Sequence, residues 1–304
     1  MSRVAAIDCG TNSIRLLIAD ISNGNFHEVL RTMEIVRLGQ GVDQNKAFHP
    51  DAIARTLTAV TLFRDQIASK GVEKIRFCAT SATRDATNRN LFIDGVRDIL
   101  GVEVEVIPGE EEAALSFMGA TKELDQSNGP FLVVDIGGGS TEFVYGDKKV
   151  ISAKSVNIGC VRMSERHLNT QPPTMAQISE AIVDIDIAIT QAASVVPITT
   201  AKTLVAVAGT ATTVAAAALN LPEYDRHIIH LSKISAPVVH KVAGSFQSMS
   251  RDEISSLGYM HPGRVDVITA GALVLSRIMA ATGASEFVAS ESDILDGMAW
   301  SLIS

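Results

Sequence analysis

Wholly apolar runs along the chain alternate with small polar turns, and the alternation repeats itself at long range. "VAAIDCGTNSIRLLIADI" (4–21) reads as an apolar run, then Asp8, Gly10 and Ser13, then a second apolar run. "FLVVDIGGGSTEFVYGD" (131–147) has the same form around Asp135, Gly137 and Ser140. Runs this aliphatic predict strands buried on both faces, as in α/β proteins. Each pair of runs predicts a hairpin around a glycine-rich turn. The spacing is constant, 135 − 8 = 127 and 140 − 13 = 127. A second correspondence joins "KIRFCATSATRDATN" (74–88) to "TLVAVAGTATTVAAAAL" (203–219), each a strand, a hydroxyl-rich turn and a helix, with Thr80 matching Gly209 at an offset of 129. Two ordered pairs at nearly one spacing predict a duplicated, domain-sized unit.

The remaining segments have helical periodicity. Residues 50–71 place Ile53, Leu57, Val60 and Ile67 near one face, with Gly71 as C-terminal cap. Residues 174–193 open on a Thr174…Gln177 capping box and carry the stripe Ile178, Ile182, Ile185, Ile189. Ser250…Glu253 predicts a second box, 265–283 a buried helix, 286–290 a short strand and 292–303 a closing helix. The polar stretch "LDQSNGP" (124–130) is the natural seam.

Composition narrows the class. A length of 304 residues suggests two domains, and 46% apolar with 5% aromatic residues gives an aliphatic core. Acidic residues exceed basic ones, 34 against 26, which argues against nucleic-acid binding. No apolar run reaches the ~18 residues of a membrane span, and the N-terminus lacks signal-peptide character. Three cysteines without metal spacing (Cys9, Cys78, Cys160) point to a reducing cytoplasm.

The chemistry lies in the turns. Successive backbone amides in a glycine-rich turn make an anion-binding concavity, and helix N-termini do the same. Gly10–Ser13, Gly137–Thr141, Thr80–Arg84 and Gly209–Thr212 are candidates, and in paired repeats they predict a phosphate clamp. Asp8, Asp135 and Glu142 would repel phosphate unless a cation sat between them. Mg²⁺ suits that role, and Asp135 and Glu142 are the candidate ligands; Asp135 also reads as a turn-stabilising acceptor. In "PGEEEAALSFMGA" (108–120) three glutamates open a helix. They read as a solvated first turn, or as presenting Glu112, beside small Ala113 and Ala114, as a base for attacking water. Arg84, Arg15 and Arg264 are candidate phosphate ligands; Arg15 reads equally as a strand-end ion pair and Arg264 as a helix-start contact. His227 and His230 lack a third ligand at metal spacing and read as surface residues. "DCGTNSIR" does not have the shape of a thiol-phosphatase loop.

In order, "DCGTNSIRLLI", "SATRDATN", "GEEEAALSFMGA", "DIGGGSTEFV", "AGTATTVAA" and "HPGRVDVITAGALVL" resemble the exopolyphosphatase/guanosine-pentaphosphate phosphatase family, from Asp8 to the closing helix. The resemblance implies two ribonuclease-H-like α/β domains of the actin-like ATPase (sugar kinase/Hsp70/actin) superfamily with an interdomain cleft. These fall at 1–125 and 126–290, with 291–304 returning to the first domain. It implies that Glu112 activates water, that Asp135 and Glu142 are metal-associated, and that Gly137, Gly138, Gly139, Ser140 and Thr141 form the main phosphate loop. Gly10, Asn12 and Ser13 match the first loop, Gly209 and Thr210 the third, and Arg84, Arg15 and Arg264 its phosphate-holding arginines. "AGTATT" departs from the family's usual Gly-X-Ser-Gly-Thr. The chain ends before the extra helical domains of long family members, which implies short-chain inorganic polyphosphate as substrate. Guanosine pentaphosphate or tetraphosphate, and with it a stringent-response role, is the alternative. A sugar or carboxylate kinase and a non-catalytic alarmone-binding protein are further rivals. Mg²⁺ or Mn²⁺ is the implied cofactor, and homodimerisation, common in the family, has no interface legible here.

Overall fold

The apolar runs become the central strands of two sheets, and the polar turns become the joints between them. The computed structural model describes residues 2–22 and 24–303. The chain divides into two compact units, Met1–Gly119 with Ile294–Ser304, and Ala120–Asp293.

In the first unit β1 (Ser2–Cys9), β2 (Ser13–Ser22) and β3 (Asn25–Ile35) form an antiparallel meander. β4 (Lys74–Ala79) and β5 (Val104–Val106) continue it in parallel on the other side of β1, giving the order β3-β2-β1-β4-β5. β1 lies at the centre with Val4, Ala5, Ala6 and Ile7 fully buried, which is why it shows no polar alternation. Its helices are α1 (Val42–Asn45), α2 (Pro50–Lys70), α3 (Ser81–Asp85), α4 (Asn90–Leu100) and α5 (Gly109–Thr121). One sheet face packs Ala5 and Ile7 with Val60 and Phe63 of α2 and Phe92 of α4. α2 begins where His49 accepts from the Asp51 amide and ends at Gly71, whose φ of 65° only glycine adopts without strain.

The second unit repeats the pattern. β6 (Phe131–Ile136), β7 (Thr141–Gly146) and β8 (Val150–Val156) form the meander, and β9 (Thr203–Val207) pairs in parallel with β6. β10 (Lys233–Ser235) adds an antiparallel edge to β11 (Glu286–Ala289), so the order is β10-β11-β9-β6-β7-β8. Without β10 this is the strand order of the first unit, so one sheet pattern occurs twice along the chain. Register confirms the repeat: Asp8 pairs with Cys78 and Asp135 with Val207, and 207 − 78 = 129, the Thr80–Gly209 offset. The helices are α6 (Cys160–Arg166), α7 (Met175–Ala193), α8 (Ala208–Ala218), α9 (Arg226–Ile229), α10 (Ala236–Ser248), α11 (Arg251–Ser255) and α12 (Ile268–Thr282). Both capping boxes form, at Thr174/Gln177 and Ser250/Glu253. α12 starts later than its apolar run because residues 265–267 form a turn that follows the 3₁₀ segment Pro262–Arg264.

The last helix, α13 (Ile294–Ser301), belongs to the first unit, where Leu295 and Met298 pack with Val4, Ala6 and Leu115. It crosses α5 so closely that a Cβ on Gly297 would lie 2.0 Å from the Leu115 carbonyl oxygen. Gly297→Ala must part the two helices, at a cost of ~1–3 kcal/mol. The expected result is a lower thermal midpoint by circular dichroism.

Candidate active site

Both hairpin turns close with the same bond. The Gly10 amide donates to Ser13 O at 3.0 Å, and the Gly137 amide to Ser140 O at 3.0 Å. The turn carbonyls are then tied from behind by the segment that follows the third strand. In the first unit the Val36 and Arg37 amides donate to Asn12 O (3.1 and 2.9 Å), and the Gly39 amide to Thr11 O (2.8 Å). In the second, the Cys160 amide donates to Gly137 O (3.0 Å), and the Val161 and Arg162 amides to Gly138 O (2.9 and 3.0 Å). Buried Arg162 adds its Nε on Gly139 O at 2.6 Å.

A trans peptide points its N–H opposite to its C=O. Tying back the carbonyls of 137, 138 and 139 therefore directs the amides of Gly138, Gly139 and Ser140 away from the strap. The same logic directs the amides of Asn12 and Ser13. Successive amides turned to one side of a loop are what an anion nest requires. Of the residues expected in the loops, Gly10 and Gly137 use their amides to close the turns, and Thr141 anchors its hydroxyl on Ile158 O at 2.8 Å. The strap approaches this closely only because residue 159 is glycine: a Cβ there would lie 2.5 Å from Gly138 O and 2.7 Å from Gly137 O. Sequence reasoning missed Gly159 and Arg162. The available signal was that "IGCVR" follows its third strand much as "VRLG" follows the first unit's.

Beside each turn runs a row of facing side chains, since directly opposed strand residues share a sheet face. In the first unit the hairpin pairs Asp8 with Arg15, and Arg15 Nη2 lies 2.7 Å from Asp8 Oδ2. The candidate phosphate arginine is thus engaged in an ion pair across the hairpin. In the second unit the equivalent pair is Asp135 and Glu142, two carboxylates exposed by only 6% and 0%. Like charges directly opposed on adjacent strands destabilise a sheet unless a proton or cation intervenes. Hard oxygen donors of this type suit a divalent ion that completes its shell with water and phosphate. Among the described residues no cluster of three or more His, Cys, Asp or Glu could hold a metal, so an ion bound by these two carboxylates would need further oxygen donors to complete its shell.

The three glutamates of α5 separate completely. Glu110 is exposed, Glu111 pairs with Arg76 at 2.5 Å, and Glu112 is buried. Arg84 Nη1 donates to Glu112 Oε2 at 2.7 Å and to Ile107 O at 3.0 Å. Among the described residues no hydrogen bond engages Arg84 Nε or Nη2, so this guanidinium can steady Glu112 and still meet an anion.

At the third turn the Arg264 guanidinium rests against Gly209, where an added Cβ would lie 1.3 Å from Nη1. Ala208, just before it, has a φ of 64°, a strained conformation for a residue with a Cβ and one that clusters at functional sites. Thr210 is buried, and Tyr224 donates to Thr212 Oγ1 at 2.7 Å. Burial and then the neighbouring Glu291 carboxylate push the Tyr224 phenol upward. His230, expected at the surface, is half-buried, with Nε2 2.9 Å from Glu123 Oε2 and Nδ1 accepting from the Glu291 amide. Burial, then Asp8, raises the Cys9 thiol well above its usual range, and burial likewise raises Cys78 and Cys160. None is poised as a nucleophile. No helix among the described residues is long and apolar enough to cross a membrane.

Known proteins are similar to this chain, some of them along nearly its whole length. Exopolyphosphatase 2 of Mycobacterium tuberculosis is 45% identical over 315 residues, covering 99% of this chain and 99% of that protein. A guanosine-5'-triphosphate,3'-diphosphate pyrophosphatase of Vibrio cholerae is 36% identical over 179 residues, covering 59% of this chain and 36% of its own. The crystal structure of an exopolyphosphatase-like protein superposes with a TM-score of 0.95 at 44% identity, covering 99% of this chain and 98% of that one. The model of the Ppx/GppA phosphatase family matches residues 17–303, and the chain belongs to that family.

Proposed function

We propose that the protein is an exopolyphosphatase that releases terminal phosphate from inorganic polyphosphate, with short chains preferred. The observation that carries this reading is that each unit has a turn whose carbonyls are tied back in the same way, which turns the amides of Asn12 and Ser13 in one, and of Gly138, Gly139 and Ser140 in the other, away from the tie. A polyphosphate needs such donors at successive phosphates. Arg84 supplies a guanidinium, and Arg264 with the Gly209–Thr210 turn supplies further donors. Asp135 and Glu142 hold a divalent ion, Mg²⁺ or Mn²⁺, which when bound supplies charge neutralisation for the phosphate oxygens.

Glu112, steadied by Arg84, accepts a proton from water as its oxygen forms a bond to the terminal phosphorus. The P–O bond to the shortened chain breaks, and the leaving phosphate carries the electron pair. Charge on the transferring group is met by amides already in place, so little reorganisation is needed. Arg15, paired with Asp8, keeps a cation beside the first turn. The three free, buried cysteines support action in a reducing compartment, the cytoplasm, and homodimerisation goes with the family.

The experiment is release of inorganic phosphate from short polyphosphate, long polyphosphate and guanosine pentaphosphate, each with Mg²⁺, Mn²⁺ or EDTA. Fastest release is expected from short polyphosphate with metal, and loss of release in EDTA. No release from polyphosphate with either metal would end this reading. Faster release from guanosine pentaphosphate would transfer it to that substrate and to the stringent response.

A further inference from the structure

We infer that Ser155 is a positioning residue for the metal-binding carboxylates, acting through Glu142. The inference rests on the reading of Asp135 and Glu142 as that pair. Register places the two in one row with Ser155: Asp135 opposes Glu142, and Glu142 opposes Ser155 on β8. The Ser155 hydroxyl donates to Glu142 Oε1 at 2.7 Å.

The first unit has the same row with different side chains. There Asp8 opposes Arg15, and Arg15 opposes Met33. Arg15 brings its own charge and fork, with Nε and Nη2 at 3.1 and 2.7 Å from Asp8 Oδ2, so the third position can be a thioether. In the second unit a carboxylate replaces the arginine and a hydroxyl replaces the methionine. The hydroxyl adds no charge, leaving both carboxylates for a cation, yet it commits one oxygen of Glu142 to β8. A glutamate has several rotatable bonds, and fixing them costs side-chain entropy. Ser155 meets that cost before any ligand arrives. Hydrogen-bond partners behind metal ligands typically matter 10–100-fold in affinity or activity.

The test compares Ser155→Ala, Ser155→Thr and Glu142→Gln with the unaltered protein. Mn²⁺ binding is measured by electron paramagnetic resonance with inorganic phosphate present and no polyphosphate. Thermal midpoints are measured without metal. Ser155→Ala is expected to weaken Mn²⁺ binding about 10–100-fold and to raise the metal concentration for half-maximal phosphate release in step. Its metal-free midpoint should stay close to that of the unaltered protein, and Ser155→Thr, which keeps the hydroxyl, should recover most of the affinity. Unchanged Mn²⁺ affinity in Ser155→Ala, alongside loss in Glu142→Gln, overturns the role of Ser155 and leaves the metal reading standing. A lowered metal-free midpoint with unchanged affinity assigns Ser155 to the fold alone. Absence of Mn²⁺ binding by the unaltered protein overturns the metal reading and this inference with it.

Discussion

Glu112→Gln is expected to reduce turnover by about 10²–10⁴-fold, the usual contribution of a positioned general base, while polyphosphate is still bound. The amide has nearly the shape of the carboxylate, and its oxygen can still accept from Arg84 Nη1, which reaches Glu112 at 2.7 Å. The fold around α5 should therefore hold. What disappears is the capacity to take a proton. Removing the negative charge also leaves the Arg84 guanidinium less compensated, so the KM for polyphosphate should stay level or fall. Steady-state phosphate release, with a thermal midpoint as control, checks this. A kcat near that of the unaltered protein would remove Glu112 from the chemistry.

Gly159→Ala should be nearly as damaging, though residue 159 need touch no substrate. Its Cβ would overlap two backbone oxygens of the main turn, Gly138 O at 2.5 Å and Gly137 O at 2.7 Å. Backbone has no rotamer by which to escape, so either the strap or the turn must move. Displacing the turn re-aims the Gly138, Gly139 and Ser140 amides together. Misplacement on the order of 1 Å costs about 10²-fold, and a loss of that size is expected in kcat/KM. Gly244→Ala is the matched control, because nothing lies within 4 Å of an added Cβ there; it should leave kinetics unchanged. Equal kinetics for the two variants would mean that the strap does not set the turn.

Much of the architecture was legible because it is written locally. Turn glycines, capping boxes and uniformly apolar strands each depend on a few neighbouring residues, and the constant offset exposed the duplication. The third strands β3 and β8 were harder to see. They are half-exposed edge strands, with no continuous apolar run to announce them. The strap residues were harder still to find for a related reason, since "IGCVR" points to a turn some twenty residues earlier only when it is set beside "VRLG" in the first unit.

By itself the sequence determined two matched α/β units and where each would place its glycine turns, because strand periodicity and turn chemistry are short-range properties. Only the tertiary structure decided that Arg15 pairs with Asp8, that Glu112 alone of the three adjacent glutamates is buried, and that Ser155 stands behind Glu142. Those outcomes depend on which strands lie side by side and on helix rotation. Arg84 and Glu112, 28 residues apart, or Arg162 and Gly139, 23 apart, meet only after the chain has packed.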